Sequence, residues 1–403
     1  MINIAVLGFG NIGSGIADLI ERNAAFIYKD LRDKINIKYI LDIRDFKGTP
    51  YESKVVHDID VITGDPEISI VCETMGGSNP AFEYSIACLR AGKHVVTSNK
   101  EVVANFGNIL CDAARDNGVR YLYEASVGGG IPVIRTIRTA FAGTDITSIH
   151  GILNGTTNYI LTEMAKCGKD FKTALEEAQK LGYAERDPSA DINGDDSCRK
   201  ICILAALAFG SLVNTSSISC TGISGVTPED IAIASDFGGS IKLIASAYRT
   251  STDAVDIRVS PCLIKKNDPI NGVDGVYNII RITADLVGDV TLYGQGAGKY
   301  PTAGAVVSDI IAIAGGSEKI KCGQETMKVA DESMVCDEYT TPASFYAAVA
   351  ASSKEVAAAF GSVEELLCDY NITAFICRDI SRQDFESILR KNNFRVISKF
   401  RTL

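Results

Sequence analysis

Apolar positions recur along this chain with two periods. Ile2, Ile4, Val6 and Leu7 make a short apolar run, and Ile12, Ile16, Leu19 and Ile20 then return at helical spacing. Apolar stretches follow at "INIKYILDIRD", "ISIVCETM" (68–75), "KHVVTSNK" (93–100) and "VRYLYEAS". The helical period fills the gaps, as in "NPAFEYSIACLRAG" and "KEVVANFGNILCDAARDNG". Such alternation predicts an α/β fold with a parallel, doubly wound sheet of Rossmann type.

Further on, Phe171 to Leu181 predicts an amphipathic helix ended by Gly182. Asp195 or Asp196 opens another, which runs into the apolar "KICILAALAFG". In the last eighty or so residues "ASFYAAVAA", "NITAFICRDI" and "FRVISKFR" read as strands. "EVAAAFGSVEELL" and "SRQDFESILRKNN" read as helices.

The length of 403 residues suits two or three domains. A net charge of −10 argues against nucleic acid or anionic membranes as partners. No stretch reaches the roughly 18 apolar residues of a membrane span. The start "MINIAVLGFG" lacks the basic residues and cleavage site of a signal peptide and reads as a strand. A cytoplasmic protein is therefore expected. Its twelve cysteines contain no C-x-x-C pair and read as reduced core thiols. The three histidines, His57, His94 and His150, sit in no motif with a nucleophile, so acid/base chemistry falls to Lys, Asp, Glu or Tyr.

Gly8, Gly10 and Gly13 spell G-x-G-x-x-G between the first strand and the first helix. Gly8 allows the tight turn, Gly10 lets the backbone approach a pyrophosphate, and Gly13 lets the helix pack close. The free N–H groups of the helix start then face the phosphates. The second strand ends in Asp42-Ile43-Arg44-Asp45. An acid there favours the ribose of NAD and an arginine the 2′-phosphate of NADP, so both remain open, with a lean to NADP or dual use. The polar loops "ETMGGSNP" and "TSNKE" lie at the carboxyl ends of strands, where ligands bind, and Lys100 is expected to end a buried strand in that cleft.

Two more stretches carry chemistry. Asn154-Gly155-Thr156-Thr157-Asn158 precedes a helix and offers N–H groups to a substrate carboxylate, or simply caps the helix. "GYAERDPSADINGDDSCRK" crowds Glu185, Asp191, Asp196 and Lys200 before a buried helix. Asp196 and Lys200 share one helical face. A lysine entering a buried site gives up its proton more readily and serves as acid/base, while Glu185 and Asp191 neutralise an ammonium. Spacing alone serves a capped helix with a surface salt bridge equally well.

Four stretches together resemble one family, the homoserine dehydrogenases. The pattern A-x-x-x-G, then D-P, then D-x-x-G-x-D-x-x-x-K reads here as Ala178, Gly182, Tyr183, Ala184, Asp187-Pro188, Asp191, Gly194, Asp196 and Lys200. "ILNGTTNYILTEM", "GKHVVTSNKEVVA" and "YGQGAGKYPTAGAVVSDI" match as well, and the likeness covers about residues 1 to 315. It implies reversible, nicotinamide-dependent interconversion of L-homoserine and L-aspartate 4-semialdehyde, in the biosynthesis of threonine, methionine and isoleucine. It implies Lys200 as proton donor and acceptor, with Lys100 assisting. Substrate would meet Glu185, Asp191, Asp196, Gly155, Thr156 and Tyr183. Cofactor, NADP or NAD, would meet Gly8, Phe9, Gly10, Asn11, Ile12, Gly13, Arg44, Thr74, Met75, Asn99, Lys100 and Gly298. The family also carries a monovalent cation (Na or K) on backbone carbonyls, which match Glu124, Val127, Gly129 and Ile131 in "YEASVGGGIP".

The resemblance further implies a monofunctional enzyme, assembled as a homodimer or homotetramer. Its parts would be a dinucleotide-binding domain (1–132 with 300–322), a central α/β catalytic and dimerisation domain (133–299), and a small α+β ACT-like domain (323–403). The chain departs from the family at Asp42, a position usually apolar, which sets a carboxylate beside any 2′-phosphate. In the tail, Ser352-Ser353-Lys354-Glu355 stands where a Pro-Gly turn is usual, and the second strand is not evident. A structural or dimer-forming role for the tail thus stands beside amino-acid feedback. Two rival readings are a dehydrogenase for another small amino acid and a cofactor-sensing regulator without catalysis. The full pattern from Asp191 to Lys200 speaks against the first, and the presence of both lysines against the second.

Overall fold

A computed structural model describes residues 1–236, 238–250, 254–316, 327–369 and 372–403. Six parallel strands form the first sheet: β1 (Ile2–Leu7), β2 (Ile35–Leu41), β3 (Val55–Val56), β4 (Ile68–Glu73), β5 (His94–Thr97) and β6 (Tyr121–Leu122). Their order is β3-β2-β1-β4-β5-β6. The direction of winding reverses between β1 and β4, which opens a crevice at the carboxyl ends of those strands.

Strand period explains why helices cover both faces. Ile4 and Val6 of β1 and Ile70 and Cys72 of β4 face one core, with Ile16, Ala303, Val306 and Ile310. Ala5, Leu7 and Val71 face the other, with Val102, Val103 and Leu110. Helix Lys299–Ala314 returns late in the chain to pack on helix Asn11–Arg22. A Cβ on Gly15 would lie 3.0 Å from the Ala303 methyl, so the absence of a side chain there lets the two helices approach. The expected boundary between 322 and 323 falls outside the described residues.

The second sheet is mixed and ten-stranded. Its path runs Gly288–Gln295, Tyr277–Ala284, Ile146–Ile152, Ser240–Arg249, Val255–Ile264, Val396–Thr402, Ala343–Val349, Ile372–Ile380 and Glu364–Asp369. Strand Ser219–Cys220 pairs beside it with Val255–Ile264. Helices Gly155–Cys167 and Asp195–Phe209 lie against it.

The tail corrects the sequence expectation in two ways. "EVAAAFGSVEELL" is not one helix. Ser352 opens helix Ser353–Phe360 through a capping box with Glu355, Gly361 (φ +74°) ends it, and Glu364–Asp369 becomes the missing second strand. The tail is thus β-α-β-β-α-β with its strands in the order fourth, first, third, second. It has its own core around Phe345, Val356, Phe375 and Phe385. Its sheet is nevertheless continuous with the central one, because Val396–Thr402 pairs in parallel with Val255–Ile264 at Cys262–Arg401 and Leu263–Thr402.

Three smaller corrections concern local elements. Strand β6 covers only Tyr121–Leu122 of "VRYLYEAS". Lys100 does not end a strand: β5 stops at Thr97, and Lys100 opens helix Lys100–Asp116 behind the cap Asn99. Not every cysteine is a core thiol, since Cys167, Cys220 and Cys368 are exposed.

Candidate active site

The glycine loop leaves β1 at Leu7. Gly8 holds φ +84°, and its amide donates to Leu41 O at 2.8 Å. A Cβ on Gly13 would lie 2.3 Å from Gly8 O, so no side chain fits between loop and helix. A Cβ on Gly10 would meet nothing within 4 Å, which leaves open space over the loop. Helix Asn11–Arg22 starts at Gly10 with no side-chain cap and no acid in its first turn. The N–H groups of Asn11, Ile12 and Gly13 have no intrahelical acceptor and, with the dipole, suit a pyrophosphate. Loop and helix start therefore fit a dinucleotide.

Asp42 is buried at the end of β2. It accepts from the Phe9 amide (2.7 Å) and from the Arg44 guanidinium through both oxygens (2.9 Å each). Hydrogen bonding to Arg44 holds this carboxyl down at about 2. The Arg44 head is exposed and lies over the Phe46 ring. Asp42 therefore faces no 2′-phosphate as a bare charge, because Arg44 neutralises it.

On the other side of the crevice, Thr74 donates to Gly8 O at 2.7 Å and Met75 packs on Gly8. Asn99 caps the helix that begins with Lys100, accepting from Val102 N. Lys100 reaches across and pairs with Asp196 Oδ1. This ion pair links helix Lys100–Asp116, packed on the first sheet, to helix Asp195–Phe209, packed on the second.

Asp196 and Lys200 lie on the first turns of helix Asp195–Phe209, both buried. Lys200 Nζ donates to Asp196 Oδ2 and to Leu153 O, each at 2.7 Å. Burial works on the two groups in opposite senses. It pushes the Lys200 ammonium below its ordinary range, only partly offset by Asp196. It would push the Asp196 carboxyl up, but the charges of Lys200 and Lys100 outweigh it and hold Asp196 well below the carboxylate range.

Asn154, not assigned a role from sequence, is the hub of this cluster. Its Nδ2 donates to Asp191 Oδ1 (2.7 Å) and Asp196 Oδ2 (2.9 Å), while its Oδ1 accepts from Thr157 N (2.9 Å) to cap helix Gly155–Cys167. Its signal was present as the cap of a polar turn, but the two acids it reaches are 37 and 42 residues away. Burial, and then the neighbouring charge of Asp196, raise the half-buried Asp191 carboxyl. Gly155 is needed where it stands, since a Cβ would lie 2.6 Å from Val276 O.

Other expected residues lie further out. Thr156 donates its hydroxyl to Tyr183 O at 2.7 Å, so Tyr183 joins through its backbone while its ring is exposed and tilts on Tyr159. Glu185 is exposed and makes no side-chain bond to the lysine cluster among the described residues. Gly298 (φ +122°) starts helix Lys299–Ala314, and the turn before it packs tightly on Gly129. In the loop expected to hold a cation, the Glu124 side chain is committed elsewhere. It accepts from Ile134 N (2.9 Å) and Arg135 N (2.7 Å), and burial raises it to about 7. Ile131 O accepts from Val133 N at 2.8 Å. Among the described residues no three His, Cys, Asp or Glu side chains gather to hold a metal ion.

A dinucleotide loop facing a buried lysine–carboxylate cluster defines an oxidoreductase with an NAD-binding domain. The comparisons narrow the class. A family model described as homoserine dehydrogenase matches residues 132–311, and one described as homoserine dehydrogenase, NAD binding domain, matches 8–124. A homoserine dehydrogenase of Synechocystis is 43% identical over 320 residues, which is 78% of this chain and 73% of the relative. The crystal structure of one from Thiobacillus denitrificans superposes with a TM-score of 0.89 at 31% identity, over 100% of this chain and 98% of the other. A hyperthermophilic archaeal homoserine dehydrogenase, solved in complex with NADPH, gives a TM-score of 0.64 at 26% identity over 77% of this chain and 97% of its own. The chain belongs to the homoserine dehydrogenase family.

Proposed function

We propose that the chain interconverts L-homoserine and L-aspartate 4-semialdehyde, with Lys200 as the acid/base group. The observation that carries the reading is the buried Lys200 amine, held by Asp196 and Leu153 O at the mouth of the dinucleotide crevice. A nicotinamide dinucleotide held by the Gly8–Gly13 loop and the start of helix Asn11–Arg22 would supply the hydride acceptor for the carbinol carbon of homoserine. Lys200 in its neutral form takes the hydroxyl proton as the carbonyl forms, and its ammonium returns that proton in the reverse direction. Lys100, held by Asp196 beside the same cleft, offers positive charge to the developing alkoxide.

Substrate orientation follows from the same cluster. Asp191 and Asp196 offer negative charge to the homoserine ammonium, and Asn154 keeps the two carboxylates apart at a set spacing. The amides of Gly155 and Thr156, at a helix N-terminus, suit the substrate carboxylate. Glu185 reaches substrate only if its exposed segment folds inward.

For the cofactor we favour NADP alongside NAD. Arg44 is exposed where a 2′-phosphate would lie, and Asp42 is already neutralised by it. The archaeal relative solved with NADPH is consistent with this. A monovalent cation on the carbonyls of Glu124, Val127, Gly129 and Ile131 is proposed from the family pattern alone. So is a homodimer or homotetramer, with the open edge strand Gly288–Gln295 and exposed Leu286, Val287 and Tyr293 as the surface to test. The β-α-β-β-α-β tail suits an ACT-like module, and cytoplasmic residence stays a proposal from the sequence. No described helix is long and apolar enough to cross a membrane.

The deciding experiment is homoserine-dependent reduction of NAD and NADP by the purified chain, followed at 340 nm. Turnover with another small amino acid and none with homoserine would overturn the reading.

A further inference from the structure

Glu73 ends β4 at the point where the sheet's winding reverses, and it is the most deeply buried carboxylate among the described residues, at 0% exposure. No ion pair reaches it among the described residues, and burial raises its carboxyl to about 7. A carboxylate so placed is costly unless hydrogen bonds hold it. Here they do. Oε2 accepts from the Thr97 hydroxyl at 2.6 Å, and Oε1 accepts from Met75 N at 2.7 Å and from Asn99 Nδ2 at 3.4 Å.

Those three partners lie at the carboxyl ends of β4 and β5, which flank the crevice. Met75 lies in the loop after β4 and packs against Gly8 of the glycine turn. Thr97 is the last residue of β5, and Asn99 lies in the loop after it. The Thr97 hydroxyl oxygen accepts from Asn99 N at 2.9 Å, and the Asn99 amide donates to Gly77 O at 2.8 Å, back in the first loop. Asn99 then caps the helix whose first residue is Lys100. The carboxylate is therefore a clamp between the loop that borders the dinucleotide site and the residue that sets the height of Lys100.

We propose that Glu73 is a positioning residue for hydride transfer, setting the spacing between the two crevice loops and so between bound cofactor and Lys100. It touches neither substrate nor cofactor in this role. The proposal rests on the dehydrogenase reading, and the wild-type assay tests that reading separately.

The test uses the full-length chain and the variants Glu73→Ala, Glu73→Gln and Thr97→Val. Folding is checked by thermal melting and dinucleotide binding by NADPH fluorescence. Misplaced reacting groups cost rate steeply, so kcat of folded Glu73→Ala is expected to fall about tenfold or more while KM for homoserine changes less than about threefold. Glu73→Gln should recover most of kcat, because its oxygen still accepts from Met75 N and its NH2 donates to the Thr97 oxygen. If Glu73→Ala does not fold, Thr97→Val, which removes one arm of the clamp, decides. It should lower kcat several-fold at unchanged homoserine KM. Wild-type kcat in folded Glu73→Ala, or in Thr97→Val, overturns the proposal, as does a rate loss that only tracks the unfolded fraction. Failure of Glu73→Gln to rescue overturns it as well. An inactive wild type would instead sink the dehydrogenase reading.

Discussion

Lys200 and Asp196 face each other at 2.7 Å, one helical turn apart and both buried. Burial disfavours the ammonium and Asp196 favours it, so the carboxylate tunes how readily the lysine loses its proton. The pair would titrate together in the working enzyme.

This sets the sign of the pH dependence. Homoserine oxidation needs the neutral amine, so kcat/KM should rise with pH and level off around a midpoint below the 10.5 of a free lysine. Aldehyde reduction needs the ammonium and should fall through the same range. Asp196→Asn removes the charge that favours the ammonium and should move the midpoint to lower pH. A pH–rate profile whose midpoint rises in that variant contradicts the assignment.

Lys200→Ala should lower kcat by about 10²–10⁴, the usual contribution of a positioned acid/base group. NADPH fluorescence should still report binding, since the glycine loop is untouched. Unchanged turnover would sink the mechanism.

Asn154→Ala leaves Asp191 and Asp196 without their shared donor. The cost to folding should be about 1–3 kcal/mol, read as a lower melting temperature. Homoserine KM should rise in parallel, because the two carboxylates lose their set spacing. Equal KM in the folded variant would mean that Asn154 serves the helix cap alone.

The glycines of the loop should separate stability from binding. A Cβ on Gly10 meets only open space, so Gly10→Ala should melt like wild type yet raise dinucleotide KM. A Cβ on Gly13 collides with Gly8 O, so Gly13→Ala should lose about 1–3 kcal/mol of stability as well. Melting curves and cofactor titrations on the two variants check this contrast.

Arg44→Ala should raise KM for NADP about tenfold, the worth of one charge-assisted hydrogen bond, with a smaller effect on NAD. It also leaves Asp42 as a buried carboxylate held only by the main-chain amides of Phe9 and of position 44. A uniform change for both dinucleotides would place Arg44 outside the phosphate contact.

Much of this protein was legible along the chain because the information is local. The two apolar periods give the strand–helix alternation, and period 2 in β1 divides Ile4 and Val6 from Ala5 and Leu7 between opposite cores. The glycine spacing of the first loop and the four-residue step from Asp196 to Lys200 lie within one turn of chain. Periodicity states which face is buried. It does not state which strand will lie alongside, or which distant side chain will donate a hydrogen bond. Tertiary structure alone therefore joined Asn154 to two acids some forty residues on, tied Glu73 to Thr97 and Asn99, and left Glu185 in solvent. It also joined the tail to the central sheet at Leu263 and Thr402, because strand pairing uses backbone groups that every residue carries and no local pattern marks.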